Sequence, residues 1–332
     1  MSDFQQLSVA ATAPGKINLY FAVGDVQANG YHPVASLYSA VSLQERVTVT
    51  AAETSGISLS LEIVPGSALA AMEQTGEFDR AAVPLNHKNL AYRAAEAVLE
   101  AHGISSPAAG LHLHIEKEVP VAGGMAGGSA DAAAALKAVN EFVVKAGWAD
   151  TELTREQLMA LGTRLGADVP FCVIGGLAVG YGVGEELTPI TVPEGTRQLP
   201  LVMVLNDRGL STPSVFTELD RARAAGDLPA GGELTVPAEL VDELTRGGEL
   251  DVRRIAELMR NDLQAPALAL APELRQTLAA GDTEDVAAAL VSGSGPTVAW
   301  LVANDETARS LAQAPGGHRR VFCTTTFSAD VN

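Results

Sequence analysis

Hydrophobic residues recur at every second position across residues 34–64, where Val47, Val49, Ile57, Leu59, Leu61 and Ile63 mark the inward side, and again at Leu111, Leu113 and Ile115. Alternate side chains on a strand share a face, so both stretches are expected to be strands with one buried side. Residues 7–24 read as two short strands separated at Pro14-Gly15. The second carries Lys16 and Asn18 on one face and Ile17, Leu19, Phe21 and Val23 on the other. The apolar spacing becomes helical over 88–102, with Leu90, Ala94, Val98 and Ala101 on one side before Gly103. It does so again over 154–165, where Thr154 and Gln157 have capping-box spacing ahead of Leu158, Leu161 and Leu165. Residues 65–85 show two prolines and no strong period, and are expected to be a surface insertion with little chemistry.

Beyond Gly166 the chain enters a buried run, 171–174, and then Gly175 to Gly184, whose five glycines suggest a hairpin. Residues 199–205 read as a buried strand, Ser211-Thr212-Pro213 as a helix start, 251–262 and 273–280 as helices, and 226–237 as a mobile connection. Apolar runs on both sides of Gly293-Ser294-Gly295-Pro296 form a second tight glycine turn, followed by a helix over 305–314 and a strand over 320–327. Alternating strands and helices without an internal repeat place the chain in the α+β class.

One stretch departs from both periods. Residues 120–136 place Gly123, Gly124, Gly127 and Gly128 ahead of Ser129 and an unbroken run of helix formers, with Leu136, Val139, Phe142 and Val143 as the apolar stripe. Glycines that reach positive φ bring several N–H groups to one anion, Ser129 has the chemistry of a helix cap, and the helix dipole adds positive potential, so a phosphate cradle is expected. It is neither a Walker A loop, because Ser129-Ala130 follows Gly128, nor a dinucleotide fingerprint, because Ala122 breaks that register. Spacing alone also admits a small-residue turn packed under a helix.

Composition narrows the partners. With 332 residues and 47% hydrophobic content the chain can fill two cores. Forty acidic against 22 basic residues give a net charge of −18, which excludes a broad nucleic-acid or anionic-lipid surface and makes any phosphate site local. Two distant cysteines, no long apolar run and no basic-then-apolar N-terminus indicate a soluble cytoplasmic protein.

Few side chains are candidates for chemistry. There are five lysines, of which Lys16 follows Pro14-Gly15 at a strand start and Lys117 leads into the glycine loop. Tyr31 and His32 stand together in the 25–33 loop, where a buried anchor and a ligand contact are equally compatible with the residues; Pro33 holds His32 extended. Asp168 lies past a helix end between apolar neighbours, which suits either a turn carboxylate or a general base. His112 and His114 share the outward face of their strand without a third ligand nearby, so a solvated face is expected.

Three motifs now stand in order: Ala13-Pro14-Gly15-Lys16-Ile17-Asn18-Leu19, the 120–130 loop, and Val291-Ser292-Gly293-Ser294-Gly295-Pro296. Together they resemble the galactokinase, homoserine kinase, mevalonate kinase and phosphomevalonate kinase (GHMP) superfamily. Gly30-Tyr31-His32 and 165–171 resemble its branch that phosphorylates the 2-hydroxyl of 4-(cytidine 5'-diphospho)-2-C-methyl-D-erythritol in non-mevalonate isoprenoid synthesis. The resemblance implies an N-terminal domain like ribosomal protein S5, 1–190, for ATP and catalysis, and a ferredoxin-like C-terminal domain, 191–332, on the substrate side.

It further implies Lys16 and Asp168 as the catalytic pair, with Asp168 as base. Asn18, Tyr31, His32 and, by a looser match, Phe216 become substrate contacts. ATP falls to Asn89, Leu90 and Lys117 together with Pro120, Val121, Ala122, Gly123, Gly124, Met125, Ala126, Gly127, Gly128, Ser129 and Ala130. Mg²⁺ accompanies ATP without a dedicated ligand set, and the protein is a monomer or homodimer with no nucleic-acid or membrane partner. Ala122 and Ala126 replace glycines, and Met125 a leucine, of the commoner family loop. A homoserine- or mevalonate-type kinase, or a non-catalytic nucleotide-binding relative, is the alternative.

Overall fold

The computed structural model describes residues 7–121, 124–206, 209–314 and 319–327. The chain divides into two compact units that interleave in sequence: residues 1–15, 43–121 and 126–174 form the first, and 16–42, 122–125 and 175–332 the second.

Strands β1 (Ser8–Val23) and β2 (Val34–Ala51) each contribute to both units. The expected break at Pro14-Gly15 is absent: β1 runs extended through it, since the fixed φ of Pro14 suits an extended chain and only a ladder donor is lost. The change that the Pro-Gly pair marks is the passage from one unit to the other, between Gly15 and Lys16.

In the first unit β3 (Gly56–Ile63) runs parallel to β4 (Gly110–Lys117), and β4 runs antiparallel to the end of β2, with Val47 opposite Ile115 and Val49 opposite Leu113. Helices α1 (Ala68–Thr75), α2 (Leu90–Ala101), α3 (Gly127–Lys145), α4 (Arg155–Thr163) and α5 (Val169–Ile174) complete it. The 65–85 stretch is therefore partly helical: Ser67 caps α1 through the Ala70 N–H, and Leu69 and Met72 are buried. Thr154 and Gln157 make the capping box expected for α4. Leu136, Val139, Phe142 and Val143 are fully buried in one apolar core with Val98, Leu111 and Leu113. Full burial of a side chain such as Phe142 contributes about 1.5–3 kcal/mol, which seats α3 firmly.

In the second unit β5 (Leu177–Tyr181) and β6 (Glu186–Ile190) form the hairpin expected of the glycine-rich stretch, and β5 pairs with the start of β2. β7 (Pro200–Val204) is followed by α6 (Thr212–Ala225), α7 (Ala238–Thr245), α8 (Val252–Leu258), the short β8 (Arg260–Asn261), α9 (Gln264–Leu270), α10 (Leu274–Ala280), β9 (Val286–Val291), β10 (Val298–Val302), α11 (Asp305–Gln313) and β11 (Arg320–Thr326). The order β11-β7-β10-β9 is antiparallel throughout, and its core gathers Val202, Val204, Trp300, Leu219 and Leu274. The 226–237 connection is pinned at Gly231, whose N–H donates to Asp25 Oδ1 at 2.8 Å. Among the described residues no helix is long and apolar enough to cross a membrane.

Candidate active site

The glycine loop delivers its chain to α3 differently from the expectation that Ser129 caps the helix. Ala126 stands at the N-cap with φ 61° and ψ 30°, the helix opens at Gly127, and Ser129 is its third residue. The left-handed turn at Ala126, after Gly124 at φ 67°, starts the helix three residues earlier than the hydroxyl pattern suggested. Neither Gly127 nor Gly128 has positive φ. Gly128 is exposed, and an added Cβ there would meet only Leu90 Cδ1, at 3.7 Å. No side-chain cap bond serves this helix start, so its leading N–H groups keep their donor capacity and the dipole's positive end. Ala122 and Gly123 lie outside the described residues. Asn89 caps α2 through the Ala91 N–H (2.8 Å) and donates to the Pro84 carbonyl (2.8 Å).

Beneath this helix start lies a buried charge cluster. Lys117, on β4, donates to Glu45 Oε1 at 2.8 Å and to Asp131 Oδ2 at 2.7 Å, and Glu45 Oε2 accepts the Glu118 N–H at 2.9 Å. An added Cβ at Gly127 would come within 3.2 Å of Glu45 Oε1. Burial raises the Glu45 carboxyl well above its ordinary range and Asp131 adds to this, with Lys117 opposing. Burial likewise raises Asp131. For Lys117 burial works against the charged form, but Asp131 and Glu45 prevail and push it up to about 12. One ammonium neutralises one carboxylate, so the second is held toward its protonated form. Asp131 Oδ1 is buried without a hydrogen-bond partner among the described residues. Glu45 was readable as unusual, because it occupies an inward position of β2 between Leu43 and Val47.

The second unit brings parts of all three sequence motifs together. The Lys16 N–H donates to the Met125 carbonyl at 3.0 Å. Lys16 Nζ donates to Asn18 Oδ1 at 2.8 Å and Asn18 Nδ2 to Ser36 Oγ at 2.7 Å, and all three side chains are buried. Lys16 and Asn18 thus share one face, as their spacing requires. A Cβ at Gly293 would stand 3.4 Å from Asn18 Oδ1 and 3.5 Å from Lys16 Nζ, and one at Gly124 only 2.6 Å from the Ser292 carbonyl. Asn261 donates to the carbonyls of Val291 and Gly293, both at 2.7 Å, and so braces this turn.

Asp168 is half-buried and precedes α5, where its carbonyl accepts the Cys172 N–H at 3.1 Å. Tyr31 is exposed at 62%, which removes the reading of a buried anchor, whereas His32 is 7% exposed. The His32 ring lies 4.9 Å from the Phe216 ring at 37°, and its Nε2 is 2.7 Å from Asp220 Oδ1. Asp220 was not singled out from the sequence, although it follows Phe216 by one helical turn. One turn further along, Arg223 donates to the carbonyls of Gly24 and Val23, both at 2.7 Å, tying α6 to the 24–33 loop. His112 and His114 hydrogen-bond to Ser58 and Ser60 across β3 and β4, and no group of three or more His, Cys, Asp or Glu able to hold a metal occurs among the described residues.

Comparison with known proteins bears on this arrangement. Residues 89–176 match the family model of the GHMP kinases N terminal domain, and residues 240–316 that of GHMP kinases C terminal. The chain is 45% identical over 310 residues to a 4-diphosphocytidyl-2-C-methyl-D-erythritol kinase of Pseudarthrobacter chlorophenolicus, covering 93% of this chain and 89% of that protein. It is 40% identical over 338 residues to the kinase of the same name from Corynebacterium jeikeium, covering 98% and 92%. Among solved structures, a crystal structure of 4-(cytidine 5'-diphospho)-2C-methyl-D-erythritol kinase superposes with a TM-score of 0.70 at 30% identity, over 96% of this chain and all of that one. L. major mevalonate kinase in complex with R-mevalonate gives 0.68 at 16% identity over 96% of each, a likeness of fold alone.

Proposed function

Because the chain belongs to the 4-diphosphocytidyl-2-C-methyl-D-erythritol kinase family of GHMP kinases, we propose that it transfers the γ-phosphoryl group of ATP to the 2-hydroxyl of 4-(cytidine 5'-diphospho)-2-C-methyl-D-erythritol. It is an ATP-dependent kinase with the GHMP fold. The observation that most supports the site assignment is the junction of the three motifs in the second unit, where the Lys16 N–H meets Met125 and Gly293 lies beside Lys16 and Asn18.

Phosphoryl transfer depends on positioning and on neutralising charge. In our reading the leading N–H groups of α3 and the 120–130 loop hold the ATP phosphates, Asn89 and Leu90 border the base, and the Lys117 cluster fixes the start of the helix. ATP supplies the phosphoryl group, and Mg²⁺ enters with it. In this reading the ion is held chiefly by phosphate and water oxygens. Asp168 takes the proton of the attacking hydroxyl, and Lys16 acts as its electrostatic partner and meets charge on the transferred group. Asn18 orients Lys16, and Tyr31, His32 and Phe216 meet the cytosine. In this reading residues 1–190 carry ATP binding and catalysis together with the contacts of Asn18, Tyr31 and His32, and 191–332 adds Phe216 on the substrate side.

A coupled assay with ATP, Mg²⁺ and the cytidine diphosphate substrate tests this reading, with mevalonate and homoserine as competing acceptors. The expected result is turnover of the cytidine diphosphate substrate alone. Efficient phosphorylation of mevalonate or homoserine would move the protein to another branch of the superfamily.

A further inference from the structure

We propose that Asp220 is a positioning residue that fixes the tautomer of His32 and thereby makes its ring a hydrogen-bond acceptor toward the cytosine amine. The consequence for cytosine rests on the substrate reading above; the tautomer itself rests on the geometry alone.

Helix α6 places Phe216 and Asp220 one turn apart, hence on one face. Both engage the same imidazole: Phe216 covers the ring at 4.9 Å, and Asp220 Oδ1 stands 2.7 Å from Nε2. The residue is 7% exposed, and both of these ring contacts come from α6. A carboxylate oxygen only accepts, whereas a neutral imidazole offers one donor and one acceptor. In the neutral ring it is therefore Nε2 that carries the proton, which leaves Nδ1 with a lone pair as the remaining polar atom of the ring.

An acceptor at that position matches a base edge that offers an amine. Cytosine has an exocyclic N–H donor where uracil has a carbonyl, so a ring locked as acceptor pairs with the first and leaves the second unmatched. An imidazole free to exchange tautomers would meet either base. Asp220 thus converts a contact indifferent to the pyrimidine into a selective one without touching the substrate. Its position accounts for how a stacking pocket, which tolerates any pyrimidine, acquires a preference.

Two measurements on the wild-type chain, Asp220→Ala and the isosteric Asp220→Asn test this. The first is the nitrogen NMR spectrum of the histidine rings in substrate-free protein near neutral pH, with His32→Gln to assign the signal. Wild type is expected to show Nε2 protonated and Nδ1 bare, and both variants a mixture or the opposite form. The second is kcat/KM for the cytidine diphosphate substrate and for its uridine counterpart. The cytidine-to-uridine ratio is expected to fall about tenfold or more in both variants, mainly through a higher KM for the cytidine substrate, with the KM for ATP within about twofold of wild type. A wild-type His32 with a protonated Nδ1, or an undiminished ratio in a folded variant, would overturn the proposal. Wild-type protein inactive on both substrates would sink the substrate reading and the selectivity built on it, while the spectrum would still decide the tautomer.

Discussion

Lys117 holds Glu45 at 2.8 Å directly under the first residue of α3, so the helix start of the glycine loop rests on one buried ammonium shared between two carboxyls, Glu45 and Asp131. Removing the cation and removing one anion are then unequal. Lys117→Met leaves two buried carboxyls without a counter-charge and is expected to lower stability by about 3–5 kcal/mol. Glu45→Gln supplies a neutral group where the site already favours one, and should cost less than about a third of that. Urea unfolding of both variants checks the order, and a larger loss for the glutamine variant would contradict it.

The same cluster sets a pH dependence. The Glu45 carboxyl is raised in the folded protein, so its contribution to stability is complete below its unfolded value, about 4.3, and is lost as pH rises through the raised folded value. Glu45→Gln lacks this loss. Its stability relative to wild type should therefore improve as pH rises from about 4 toward neutrality, as unfolding across a pH series would reveal. Lys117 is also raised, to about 12, so its contribution persists through neutrality and fails only in strong alkali.

Ala126 carries a positive φ of 61°, in a region that L residues with a Cβ occupy at a cost of about 1–2 kcal/mol. Ala126→Gly should remove that strain and, after the greater freedom glycine gives the unfolded chain, raise stability by up to about 1 kcal/mol. Thermal unfolding would show a higher midpoint; a lower one would mean that Ala126 is held by packing that glycine cannot replace.

The two helix-start glycines should respond differently. Gly128→Val places its side chain in the open at the leading turn, and is expected to weaken ATP binding about tenfold while the fold persists. Gly127→Val drives a side chain toward Glu45 and Val119 and should act on stability first. Calorimetric titration with ATP beside a melting curve separates them, and unchanged affinity in a folded Gly128 variant would remove this turn from the phosphate site.

For the proposed base, Asp168→Asn should bind ATP and substrate yet slow turnover by about 10²–10⁴-fold, since the amide cannot take the proton. A kcat above about a tenth of wild type would assign the proton elsewhere.

Strong local patterns carried the sequence reading far. The alternation at Val47 and Val49, the capping box at Thr154 and the apolar stripe of α3 are local signals, and each produced the expected element. Ser129 misled because a hydroxyl before a helical run is one way to begin a helix, and a left-handed Ala126 is another that composition does not reveal. Helices α7 and α9 escaped because each is short, and α9 owes its burial to a core gathered from residues distant in sequence. The same limit hid the partners of the site residues. Lys117 reads as a cation, but that two carboxylates 72 and 14 positions away surround it follows only from the fold. Asp220 lay within reach, because a carboxylate one turn beyond a candidate aromatic must face the same way.

Arg223 spends its guanidinium on the carbonyls of Gly24 and Val23, some 200 positions earlier in the chain. The tether makes the 24–33 loop and α6 a single module for exchange. Grafting the loop alone onto another kinase scaffold would leave the Gly24 carbonyl without its donor, and grafting the helix alone would leave a partly buried guanidinium short of two of its acceptors. Altering which base such an enzyme accepts would therefore require moving both segments at once, with Arg223 travelling as the clasp between them.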